Sequence, residues 1–111
     1  MNENAVRPSV YVTQETNHNF VDAEKFGEVR FLTAREPTKI TGSLRNNDIV
    51  QEIIDNLNGY RPGVDMLLPV GSPLNIGIAI AAALKGGPDL LVLQWDKMDH
   101  TYRQFAVRCN L

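Results

Sequence analysis

The chain is expected to fold as a small α/β domain. We read a mainly parallel sheet of about five strands in the order 2-1-3-4-5, the last strand antiparallel, with two main helices in a three-layer arrangement. Three observations predict this. Residues 66–70 and 90–95 are near-continuous apolar runs, the composition of strands covered on both faces. Between them lies a helix signature with Ser72-Pro73 at its start and Lys85-Gly86-Gly87-Pro88 at its end. Ahead of them, β-branched stretches precede an amphipathic helix, and right-handed crossovers between such units make a parallel sheet with helices on both faces.

Taken in order, residues 1–9 are polar and expected to be a flexible lead-in to a domain spanning 10–111. Val10-Tyr11-Val12-Thr13 makes the first strand. A polar loop from Gln14 to Asn19 follows, 21–26 forms one helical turn, and Gly27 releases the chain into a second strand over 28–33. Pro37 and Gly42, with their hydroxyl-bearing neighbours, make 35–43 a loop. In the next helix Asp48 and Gln51 stand in capping-box spacing, with Asn46 or Asn47 equally able to cap. Ile49, Val50, Ile53, Ile54 and Leu57 form its apolar stripe, and Gly59 takes the place of a C′ glycine.

In the third strand Pro69 removes a ladder donor, so its end is irregular or bonded on one side only. After the turn at 96–100, Phe105, Val107, Cys109 and Leu111 alternate with Gln104, Ala106 and Arg108, the pattern of an edge strand closing a hairpin. An antiparallel pairing of the first two strands is the alternative topology.

Composition excludes several functions. The net charge is −2 and no basic cluster stands out, which argues against nucleic-acid binding by counterion release. One cysteine, Cys109, makes no internal disulfide and no thiolate metal site. No secretory signal opens the chain, and the apolar run at 76–84 is far short of the ~20 residues that cross a bilayer. The expectation is a soluble, cytoplasmic protein without membrane contact.

Four stretches, VYVTQE at 10–15, FGEVRFL at 26–32, LLPVGSPLNIGIAIAAA at 67–83 and LLVLQWDKMDHTYRQFAV at 90–107, together resemble a family of small α/β proteins of tailed bacteriophages. Members of that family carry Gly-Asp-Pro before an alanine-rich helix and a Trp-Asp-Arg or Trp-Asp-Lys turn in a final hairpin. Here Gly71-Ser72-Pro73 keeps the capping chemistry and loses the carboxylate, and Pro69 departs from an uninterrupted aliphatic strand. The resemblance implies a phage origin and this fold; it brings no activity, cofactor or catalytic residue.

Two places invite a function. In open parallel sheets ligands bind beyond the carboxyl ends of the strands at the switch point. That puts Gln14 and Glu15 beside Gly71, Ser72 and Asn75, where helix-start amides would hold a nucleotide phosphate or other anion. Pro73 deletes one donor, and the glycine spacing matches neither a P-loop nor a dinucleotide fingerprint. The second place is the hairpin, where Trp95, Lys97, Met98 and Tyr102 combine the residue types enriched at protein interfaces. A plainly capped helix start and a tryptophan packed on the core edge are the structural readings of the two.

Chemistry beyond binding has less support. His18 and His100 sit in polar loops, and a metal site would need both plus Asp99 or Glu15. Ser72 lacks a nucleophile elbow, and Glu15 with Asp96 is the one carboxylate pair the topology would bring to one end. The helix over 73–84 is apolar all round, so a second copy of the chain or the loop 34–46 is expected to cover its outer face. The preferred function is therefore non-catalytic: binding of a host or phage protein, or self-association as a homodimer through that helix. An anion-binding protein using Gly71-Ser72 is the alternative, and a hydrolase or transferase there comes third. No cofactor and no metal is expected.

Overall fold

A computed structural model describes residues 7–40 and 43–111. Residues 1–6 of the expected lead-in, and Thr41-Gly42 of the expected loop, lie outside the described residues. The strands are β1 (Ser9–Val12), β2 (Glu28–Phe31), β3 (Met66–Leu68), β4 (Asp89–Asp96) and β5 (Thr101–Arg108). The helices are α1 (Arg45–Asn56) and α2 (Pro73–Leu84), with a 3-10 helix, Val21–Lys25, between β1 and β2. The five strands form one sheet ordered β2-β1-β3-β4-β5. β1 pairs parallel with β2 from Ser9↔Glu28 to Val12↔Phe31, which rules out the antiparallel alternative. β1–β3 and β3–β4 are also parallel, and β5 alone runs antiparallel.

Handedness decides where the helices go. The crossovers β2–α1–β3 and β3–α2–β4 travel the same way across the sheet, so right-handed connections put both helices on one face. The β1–β2 connection travels the other way and lands on the opposite face. The expectation of helices on both faces is thus corrected: both long helices share one face, and the third layer is the thin 3-10 segment with its neighbours. Alternation along the strands feeds two cores accordingly. Tyr11, Leu67 and Leu90 meet Ile49, Ile53 and Ala79 under the helices. Val10, Val12, Met66, Leu68 and Leu93 meet Phe20, Ala23 and Tyr102 on the other side. Fully burying each aliphatic side chain of this kind stabilises the fold by roughly 1.5–3 kcal/mol.

Two local expectations change. α1 starts earlier than the Asp48 capping box, because Ser43 Oγ accepts from Arg45 N at 3.1 Å and Asp48 N already donates to Leu44 O at 3.1 Å. Asn46 is spent elsewhere: its side chain exchanges two hydrogen bonds with the Thr38 backbone, pinning the preceding loop. In α2 the inward line is made of small side chains rather than the large aliphatic ones. The buried line is Asn75, Ala79 and Ala83, while Ile76, Ile78, Ile80 and Leu84 are half-buried and Leu74 is exposed. The sheet beneath already supplies large side chains, so the helix approaches it through alanines.

At the amino ends of the strands, Asp65 ties β1 to β3. Its carboxylate is 1% exposed and accepts from Ser9 N at 2.9 Å, from Arg61 N at 2.8 Å and from the Arg61 guanidinium at 2.7 Å. Burial pushes this carboxyl up. The Arg61 guanidinium and the Ser9 and Arg61 amides outweigh that and hold it below the usual carboxylate range.

At the carboxyl ends, Pro69 stops β3 after three residues. Val70 N has no strand partner in a ladder that has ended, and Thr13 supplies one: its hydroxyl accepts from Val70 N at 2.7 Å and donates to Val70 O at 2.6 Å. The Leu67↔Val92 bridge is the recorded β3–β4 register, while β4 continues to Asp96. The sheet therefore splits between β3 and β4 beyond Pro69.

Candidate functional site

The carboxyl end of the sheet holds two crevices, one on either side of β3. The first, between β1 and β3, is the expected switch point, and Gln14, Gly71, Ser72 and Asn75 do converge there. Gln14 follows β1 and is 2% exposed. Its Oε1 accepts from Ser72 N at 2.9 Å and from Asn75 Nδ2 at 2.9 Å. Asn75, itself 1% exposed, also donates to Arg35 O at 3.1 Å. Gly71, at φ 97°, presses so closely on Gln14 that a Cβ there would lie 2.5 Å from Gln14 Oε1. The helix start is closed by Ser72, whose Oγ accepts from Leu74 N at 3.2 Å. The chain's own carboxamide thus sits where an anion would be held.

Glu15 stands apart from this cluster with its side chain in solvent, and its amide donates to Thr33 O at 2.7 Å. Behind it Glu52 accepts from Thr33 Oγ1 at 2.7 Å and from Arg35 at 2.9 Å. The Thr33 hydroxyl and then Arg35 hold that carboxyl below its usual range against the effect of burial. These groups brace the β2–α1 corner.

The second crevice, between β3 and β4, is open, with a volume of about 700 Å³. Leu68, Pro69 and Val70 line its β3 side and Gln94, Trp95 and Lys97 its β4 side, with His18, Asn19, Phe20 and Tyr102 completing the wall. Trp95 is 43% exposed and stands edge-on to Tyr102, ring centroids 4.9 Å apart. Tyr102 is buried in the second core, and burial, aided by the Asp22 charge, pushes its phenol up. Phe20 is held between His18 and Phe31 by two further edge contacts. Asn19 Oδ1 accepts from Val21 N at 2.9 Å and so starts the 3-10 helix.

Of the four hairpin residues singled out by sequence, Trp95, Lys97 and Tyr102 line the groove. Met98 is almost fully exposed on the turn beside it. The turn is stiff. Asp96 Oδ1 accepts from Met98 N at 2.9 Å and Asp99 N at 3.2 Å, and Arg103 bridges Asp96 and Asp99. Asp96 therefore serves its own turn rather than a carboxylate pair with Glu15. Among the described residues no group of three or more His, Cys, Asp or Glu could hold a metal ion, and no helix is long and apolar enough to cross a membrane.

Sequence reasoning missed the β1–β2 side of the groove, His18 to Phe20. The available signal was Pro69: a proline that ends a central strand early leaves its neighbour unpartnered, and whatever follows β1 must then wall the gap.

The fold defines a small open-sheet α/β domain with one self-filled and one open crevice at the carboxyl end of its sheet. Residues 8–109 match the family of Phage Pam3 gp32-like proteins, and the chain belongs to that family. A search of curated proteins and one of solved structures each gave no significant match.

Proposed function

We propose that this phage-family protein is an accessory factor that acts without catalysis, by holding a partner protein in the Trp95 groove. The observation that carries the reading is the contrast between the crevices. The one suited to a phosphate is occupied by Gln14, while the neighbouring one is open, aromatic and rimmed by Lys97. A half-exposed tryptophan on a stiff hairpin, with an exposed methionine beside it, is the composition of an interface anchor. The partner that fits presents an apolar side chain to the groove, with acidic neighbours facing Lys97.

The anion-binding alternative has to displace Gln14 from Ser72 and Asn75, at the cost of leaving buried polar groups unpaired. The test is affinity purification from phage-infected cells with wild-type and Trp95→Ala baits. The expected result is one specific partner recovered by wild type and lost by the variant, with the two baits melting close together. Equal recovery by both baits, or a nucleotide or phosphate that raises the melting temperature without any protein partner, overturns it.

A further inference from the structure

β5 is the last strand of the sheet, eight residues long, regular in register from Asp89↔Arg108 to Asp96↔Thr101, and free of proline, glycine and bulges. Natural edges are usually blunted by such interruptions or by charged side chains. Here the interruptions are absent and the charge is balanced. The two arginines of β5 are matched within the chain, Arg103 by Asp96 and Asp99 and Arg108 by Asp89 at 3.1 Å. α2 packs on α1 and β4, and Phe105 and Val107, on the helix-side face of β5, are 46% and 49% exposed.

The backbone orientation of this edge follows from one bond. Cys109 N donates to Pro88 O at 2.8 Å, which continues the β4–β5 register by one pair. Odd-numbered residues of β5 therefore turn their N–H and C=O toward β4, and Tyr102, Gln104, Ala106 and Arg108 turn theirs outward.

We propose that two copies of the chain pair through these outer edges, antiparallel about a two-fold axis at Phe105, into one continuous sheet. A two-fold perpendicular to the sheet opposes residues of like parity, so the axis falls on a residue. Centred on Phe105, Gln104 faces Ala106 of the second copy and Tyr102 faces Arg108. Each pairing occurs twice, and each exchanges two backbone hydrogen bonds. Centring on Gln104 or Ala106 keeps one such pair fewer within the strand, and centring on Gln104 also sets Phe105 against Arg103. The chosen register brings the two Phe105 rings together in a closely spaced, non-hydrogen-bonded pair, places Val107 against Arg103, and sets no arginine against another. Self-complementarity of this kind is what an isologous interface requires, and it selects a second copy over an unrelated strand. The interface is distinct from the α2 face expected from sequence, and from the Trp95 groove.

Sedimentation of the full chain at micromolar concentration is expected to show a dimer. Ala106→Pro deletes an N–H that faces water in a single copy, so the edge tolerates it. That variant is expected to sediment as a monomer, and to match the wild-type melting temperature once the wild type is diluted until it too is monomeric. In a Cys109→Ala background, oxidised Phe105→Cys is expected to form a disulfide-linked dimer and Val107→Cys is not. A monomeric wild type overturns the proposal. So does a dimer that survives Ala106→Pro and fails to cross-link at position 105.

Discussion

The crevice between β1 and β3 and the groove between β3 and β4 are neighbours, built from the same strand ends, yet one is packed shut and the other is not. The difference lies in two residues. Gly71, lacking a Cβ and held at φ 97°, lets Gln14 lie against the start of α2 and satisfy Ser72 N and Asn75. Pro69, lacking an N–H, ends β3 early and leaves β4 to run on alone. A helix N-terminus at a switch point is thus partly satisfied from within when the chain brings its own acceptor to it.

Several substitutions probe that contrast, and the largest effects belong to the closed parts. Tyr102→Ala removes an aromatic ring shared by the groove wall and the second core, and is expected to cost about 3–5 kcal/mol in urea unfolding. Tyr102→Phe, keeping the ring, is expected to cost far less. Gln14→Ala leaves Ser72 N and the Asn75 amide without their acceptor and is expected to cost about 2–4 kcal/mol by the same measurement. A near-neutral result there would mean that water replaces Gln14 easily and that the first crevice is a usable site after all.

Asp65 supplies the pH dependence. Its folded pKa is lowered, so its stabilising contribution is whole above the unfolded value of about 3.9 and fades as pH falls through the folded one. The stability gap between wild type and Asp65→Asn is therefore expected to narrow as pH falls below about 5. A gap that widens instead would place the carboxyl above its usual range.

The smallest stability effects belong to the open groove and to Tyr60. Trp95→Ala, truncating a half-exposed ring, is expected to cost about 1 kcal/mol while abolishing partner capture. Tyr60 carries a buried hydroxyl with no hydrogen-bond partner among the described residues, so Tyr60→Phe is expected to change stability by no more than about 0.5 kcal/mol, in the stabilising direction.

Much of the fold was legible in the sequence. Continuous apolar strands and strong helix punctuation at Ser72-Pro73 and Gly86-Gly87 pointed to the element order and a mainly parallel sheet, and the preferred order 2-1-3-4-5 is the one observed. What escaped depended on contacts distant in sequence. Capping spacing pointed to Asp48, but Ser43 and the Asn46–Thr38 clasp fixed an earlier start. α2 read as apolar all round, yet only its Asn75, Ala79 and Ala83 line is buried, because the strands beneath it contribute Tyr11, Leu67 and Leu90. Of the site, Gln14, Ser72 and Asn75 were placed together, but hydropathy does not reveal that Gln14 is the occupant rather than a wall. Trp95 and Tyr102 were found by composition; His18 and Phe20 reach the same groove only through the folding of the β1–β2 loop.

The β3–β4 groove is proposed as the working surface. Hydrogen exchange on the chain alone and with its captured partner tests it most directly. New protection is expected over residues 18–20 and 93–98, with 13–15 and 71–76 unchanged. Protection confined to 13–15 and 71–76 would contradict it and return the function to the Gln14 crevice.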